Sequence, residues 1–323
     1  MVKRSNPGVF CSRIRRVSFS LPAVVLASLL LAHGDGVRPL RFGPYLQQDV
    51  LLEGSPFGSR YMPPSGAYNL QVGWMEPINI LPHPLFRGTY LETQGNATVS
   101  PYQSDVGVIF NLKPIRFLEG GLGYNRLLFP YTLVGFNTGG NKDSLPSPER
   151  WRTTEILDLR KREAVGADVF TFQANFTMDV GPVQLHAGAF RSLWDVDVTD
   201  RDVVLEYHSG LLIQKRERIN SFYGQTLIKM NPDFMLAGIT ARGIEFREQY
   251  WWATHTGLDE HLLSVGLSGI RRGRNNDRLY HGLDGLVGYW VAHPQLRGGD
   301  VLKRFHLSLQ WMWNIQILHL GEN

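Results

Sequence analysis

The chain has 323 residues, enough for one large domain or two small ones, and carries a formal charge of +4. That excess lies in the first 33 residues, where Lys3, Arg4, Arg13, Arg15 and Arg16 stand without an acid. Setting those five aside takes the charge from +4 to −1, so the basic balance gives no reason to expect nucleic acid as a partner. The one cysteine, Cys11, lies in the same basic segment, so the rest of the chain has no disulfide, thiolate metal site or cysteine nucleophile.

Residues 1–34 have the form of a secretory signal. A basic region precedes an apolar run from Leu21 to Ala32, and small residues follow at Ala32-His33-Gly34, where cleavage is expected. The run is too short to cross a bilayer as a helix, and Pro22 interrupts it. Cys11 lies upstream of the run, which does not fit a lipoprotein signal.

Residues 35–65 are poorly patterned and broken by Gly43-Pro44, Ser55-Pro56 and Pro63-Pro64, with a first strand expected over Phe42 to Leu52. From Gly66 a period of two begins. Tyr68, Leu70, Val72 and Trp74 alternate with Asn69, Gln71 and Gly73, as in a strand with one apolar and one polar face. A strand is expected around Phe86–Thr93. Others follow at Val106–Leu112, Leu118–Leu128, Phe170–Met178, Val183–Ala189, Phe222–Ile228, Met235–Ala241 and Leu263–Leu267, then over 279–291 and 303–317. The last has the clearest alternation, with Phe305, Leu307, Leu309, Trp311, Trp313, Ile315 and Ile317 opposite His306, Ser308, Gln310, Met312, Asn314 and Gln316. It exceeds the roughly 9–11 residues that a tilted strand needs to cross a bilayer. Gly120-Gly121-Leu122-Gly123 sits inside alternating residues, so these are strand glycines and not a nucleotide loop.

Short turns near 113–116, 180–182 and 231–233 alternate with polar stretches near 131–165, 195–214 and 248–260. That rhythm predicts an all-β fold, a transmembrane antiparallel β-barrel of about 12 strands (range 10–14) over 66–323, with short periplasmic turns and long extracellular loops. A periplasmic sandwich or lipocalin-like barrel is the alternative, with the aromatic residues as core. Trp74, Tyr124, Trp251, Trp252, Tyr289, Trp311 and Trp313 are expected in an aromatic girdle at the membrane interfaces. The pattern resembles bacterial outer-membrane β-barrel proteins as a class. The resemblance implies membrane lipid and the barrel-assembly machinery as partners. Members of that class often end in an aromatic residue, whereas this chain continues as Leu318-His319-Leu320-Gly321-Glu322-Asn323.

By parity, Glu119, His186, Arg242, Asp284, His306 and Gln310 are expected to line the lumen. His306-Leu307-Ser308 resembles the catalytic pair of outer-membrane phospholipases. Those sites face lipid, whereas this pair shares the polar face with Gln310, and the usual Asn-Gly environment is missing. Asp195, Asp197, Asp200 and Asp202 invite a hard cation, but their spacing is not that of an EF-hand, and a solvated or lipopolysaccharide-bridging loop explains them better. The ten histidines form no zinc pattern, and no cofactor is expected. Three functions stay open: a channel or uptake protein for small solutes, a non-conducting barrel acting through its loops, and a membrane-embedded esterase.

Overall fold

The computed structural model describes residues 43–54, 65–78, 83–86, 88–101, 103–136, 162–199, 202–205, 211–230, 235–236, 239–273, 276–292 and 301–316. The leader and Asp200 lie outside them. Twelve long strands close into one antiparallel ring: β1 (Gly43–Gly54), β2 (Ser65–Pro77), β3 (Tyr90–Val99), β4 (Ser104–Ile115), β5 (Leu118–Phe136), β6 (Arg162–Val180), β7 (Val183–Val196), β10 (Arg216–Lys229), β12 (Ile239–Ala253), β13 (Asp259–Gly273), β14 (Asn276–Ala292) and β15 (Phe305–Gln316). Each pairs with the next, and β1 pairs with β15 from Tyr45↔Gln316 to Gly54↔Leu307, which shuts the seam. Three short strands lie off the ring: β8 (Asp202–Leu205), β9 (Leu212–Gln214) and β11 (Met235–Leu236). No helix among the described residues is long and apolar enough to cross a membrane.

The segment over 42–52 does form a strand, so the barrel begins at Gly43 and not at 66. The strand expected around Phe86–Thr93 runs instead from Tyr90 to Val99, after a 3-10 turn at Pro84–Phe86. The polar stretch near 248–260 is not a long loop. Gln249, Trp251 and Ala253 continue β12, and only residues 254–258 separate it from β13. Polar composition misled there because Glu248 and Gln249 on β12 and Asp259 and Glu260 on β13 are polar residues within strands.

The two faces differ as the period of two requires. Outward positions are apolar: Val106, Val108, Phe110 and Leu112 on β4, and Leu263, Val265 and Leu267 on β13, are each at least 44% exposed. A soluble monomer rarely leaves so continuous an apolar surface uncovered. Here it runs around a sheet with no free edge, the form in which β-structure satisfies its backbone in lipid. The strands also outrun a bilayer. β5 and β6 each have 19 residues, about twice what a tilted crossing needs, so their far ends project past the apolar belt.

Tight two-residue reversals at 116–117 and 181–182 mark one end of the barrel, where β13 also ends and β14 begins. The starts of β1 and β6's partner β7, and the end of β15, lie at that same end. The end of β5, the start of β6, the end of β7 and the start of β10 lie at the other.

Candidate functional site: the inner wall and mouth of the barrel

Side chains from one strand reach across the neighbouring strand to a second, and glycines make room for them. Tyr45 of β1 lies over Gly73 of β2, where a Cβ would overlap its ring. Its hydroxyl donates to Glu92 Oε1 at 2.5 Å and lies 3.3 Å from Gln94 Oε1. Asn111 Nδ2 donates to the other oxygen of Glu92 at 2.7 Å, and Gln173 Nε2 donates to Asn111 Oδ1 at 2.7 Å.

A second chain of contacts runs beside the first. The Tyr90 hydroxyl donates to Glu119 Oε2 at 2.6 Å, and Asn175 Nδ2 donates to Glu119 Oε1 at 3.4 Å. Tyr223 lies over Gly188 and brings its hydroxyl 2.8 Å from His186 Nε2 and 3.1 Å from Asn175 Oδ1. His186 Nδ1 is 3.3 Å from Gln225 Oε1, an acceptor. Tyr223 donates to Asn175 Oδ1, so it is its hydroxyl oxygen that faces His186 Nε2. These contacts bind the wall from β1 to β10 and leave its carboxylates facing the interior.

The remaining wall carries charges of both signs, with two close pairs among them. Arg247 clasps Glu245, with Nε 2.8 Å from Oε1, and the Glu245 side chain is 1% exposed. Lys229 Nζ meets Asp179 Oδ1 at 2.6 Å. Arg242 reaches Gln184 Oε1 at 2.5 Å. It does so from a β-bulge between Ala241 and Gly243, which resets the alternation so that Arg242 points inward while Ile244 and Phe246 point out. Asp284 sits in register between Ser268 and Gln310. His306 is 7% exposed, with its ring edge-on to Trp290 at 5.8 Å, and Ser308 shares its face two residues on.

The mouth at the long-loop end is built differently. β8 pairs with the tip of β5, Val134 opposite Val204, and β9 pairs with β8. The side chains of Val204, Leu211 and Ile213 are fully buried. They pack with Phe129, Val165, Ala167 and Val196, all inward-facing residues of β5, β6 and β7. The hairpin therefore folds over the inner faces of the projecting strands and puts an apolar core inside the mouth. The region around 195–214 is thus not simply a polar loop. Beside it, Glu217 closes the turn at 254–258 by accepting from the backbone N–H groups of Arg218, His255 and Thr256 at 2.8, 2.8 and 3.2 Å.

On the outer face, Trp74, Tyr124, Trp252 and Tyr289 point outward. Trp251 is a correction. Neighbours on a strand face opposite ways, so Trp251 points inward, 6.2 Å from Trp290 and against the mouth core. Tyr250, stacked on Trp252 at 5.3 Å, takes the outward place. Trp311 and Trp313 lie on β15, and their side chains are outside the described set. Asp197 is bonded to Arg126, which also holds Asp168 at 2.9 Å, and Tyr124 donates to Asp168 at 2.6 Å. Asp195 faces outward opposite Asp168 in register. No group of three His, Cys, Asp or Glu residues suited to a metal occurs among the described residues.

The alternation located Glu119 and His186 but not Glu92, Tyr45 or Tyr223. Glu92 lay at the end of a segment whose strand was misplaced. The tyrosines have a usable signature only once strand neighbours are known: an inward aromatic residue registered beside an inward glycine.

No protein-family model matches the sequence, and no curated protein sequence matches it. Solved structures with a similar arrangement include the β domain of the Bordetella autotransporter BrkA, with 11% identity, a TM-score of 0.45, and 86% of this chain and 100% of that chain covered. The translocator domain of the autotransporter NalP from Neisseria meningitidis gives 9% and 0.42 over 92% and 94% of the two chains. The Acinetobacter baumannii outer membrane protein Omp33 gives 8% and 0.36 over 87% and 100%. At these values none of them bears on what this chain does. The closed ring and its apolar outer face make it a twelve-stranded transmembrane-type β-barrel on its own geometry.

Proposed function

We propose that the chain is an outer-membrane barrel of a bacterium with two membranes and forms an aqueous path for small polar solutes. The secretory form of residues 1–34 supports export, and the apolar outer belt supports lipid as the surrounding phase. In this reading the tight turns face the periplasm and the long connections face outward, and the assembly machinery that inserts such barrels is a partner.

The observation behind the reading is the inner wall. Hydroxyls, amides and carboxylates from successive strands face one interior, and Glu119, His186, Gln225, Arg247 and Gln310 are half-buried, within reach of water. A wall that replaces part of a solute's hydration is what a selective path requires. A second reading, a non-conducting barrel, draws on the apolar hairpin in the mouth. Single-channel recording in a planar bilayer separates the two. Discrete current steps from the purified protein are expected, and their absence at high protein load would remove the channel. We assign no reaction to His306 and Ser308. An ester or phospholipid hydrolysis rate that falls with Ser308→Ala would reverse that assignment.

A further inference from the structure

The inner wall's fixed charges are not balanced around the ring. Asp179 and Glu245 have cations bonded to them, Lys229 and Arg247, so those charges largely cancel. Glu217 is held by backbone N–H groups and by His255 at the mouth. On the side from β1 to β5 the arrangement differs. Asp49 accepts from the amides of Gln47 and Asn69, at 3.2 and 3.5 Å. Glu92 accepts from Tyr45 and Asn111, and Glu119 accepts from Tyr90 and Asn175. The donors to these three are phenols and primary amides, which fix a carboxylate's position without cancelling its charge. The described cations on that side are Lys113, whose ammonium lies 5.6 Å from the centre of the Tyr90 ring, Arg116 in the turn between β4 and β5, and Arg126, which is bonded to Asp168 and Asp197.

We propose that the channel selects cations over anions, and that Asp49, Glu92 and Glu119, held on the alternate strands β1, β3 and β5 by neutral donors, set the preference. The inference rests on the channel reading and adds the sign of the permeant ion to it. Two features distinguish this set from acids scattered on a surface. The carboxylates sit on inward positions of a closed wall, where lipid beyond the strands focuses their field into the lumen. Each is also bonded to a side chain on another strand or, for Asp49, on the same and the adjacent strand, so the charges hold their places while an ion passes. Potentials of several kT in such clefts raise the local counter-ion concentration by about tenfold or more, ample for a measurable preference.

The test is the reversal potential of the purified barrel in a planar bilayer under a potassium chloride gradient. The unmodified protein is expected to pass potassium several-fold more readily than chloride. Combining Asp49→Asn, Glu92→Gln and Glu119→Gln, which keep shape and hydrogen-bonding reach, should bring the ratio close to one. Lys113→Met should move the ratio the other way. Heat-modifiable gel migration checks that each variant is a closed barrel; should the combined variant fail it, the three single substitutions and Lys113→Met carry the same comparison. A conducting protein with equal or anion-favouring permeability overturns the selectivity and leaves the channel standing. A selectivity indifferent to these substitutions removes their role. A folded protein without current removes both proposals.

Discussion

At the level of single residues, the energetic weight of the wall lies in groups that would be costly to strand. Glu245 is almost fully enclosed and relies on Arg247. Arg247→Met leaves that carboxylate buried without its partner and is expected to cost about 3–5 kcal/mol, measured as a lower urea midpoint in detergent. The companion variant, with Glu245→Gln added, should recover much of the loss. Gly73→Ala pushes a methyl group into the Tyr45 ring. It is expected to cost about 1–3 kcal/mol in the same assay, and Tyr45→Phe about 1 kcal/mol for the hydroxyl's bonds. Which residues face inward was legible wherever alternation is strict, as at Glu119 and His186. It was not legible at Trp251, where adjacent tryptophans were both assigned to one face. Who meets whom across the wall depends on register, which a single chain does not state: Tyr45 finds Glu92 only because Gly73 stands opposite it.

At the level of elements, the hairpin of β8 and β9 is the part that composition hid. Asp197, Asp200 and Asp202 made the stretch look solvated, yet Val203, Val204, Leu211 and Ile213 lie within it and are buried. Those apolar residues come in clusters too short to register as strands when polar residues flank them. If the hairpin narrows the mouth, replacing residues 202–214 with a short glycine-serine turn should raise single-channel conductance while heat-modifiable migration persists. Unchanged conductance would mean that solutes pass beside the hairpin. Val204→Asp puts a charge into the same core and should loosen it, seen as faster proteolysis of the mouth in folded protein. The bulge at Ala241–Gly243 was equally hidden, since one extra residue in fifteen barely disturbs a hydrophobic pattern.

At the level of the whole molecule, the fold class was the most legible feature, because twelve strands repeat the same two-faced pattern and independent errors average out. The outer belt makes the corresponding prediction. Val265→Arg places a charge on the outward face near the middle of β13 and is expected to cost about 2–4 kcal/mol for insertion into lipid vesicles. The same substitution should matter far less in a soluble sandwich, so equal folding yields of variant and parent in vesicles would count against lipid contact.

The seam between β1 and β15 has a consequence for how the molecule is made. Every other neighbouring pair in the wall joins wall strands that follow one another along the chain, whereas this pair joins segments more than 250 residues apart. Until the final strand arrives, the cylinder stays an open sheet with two unsatisfied borders, each liable to capture another chain. A copy still being assembled is therefore exposed until β15 docks. Loss of that strand by early termination would leave both borders exposed, a far greater liability than a deletion within any connection.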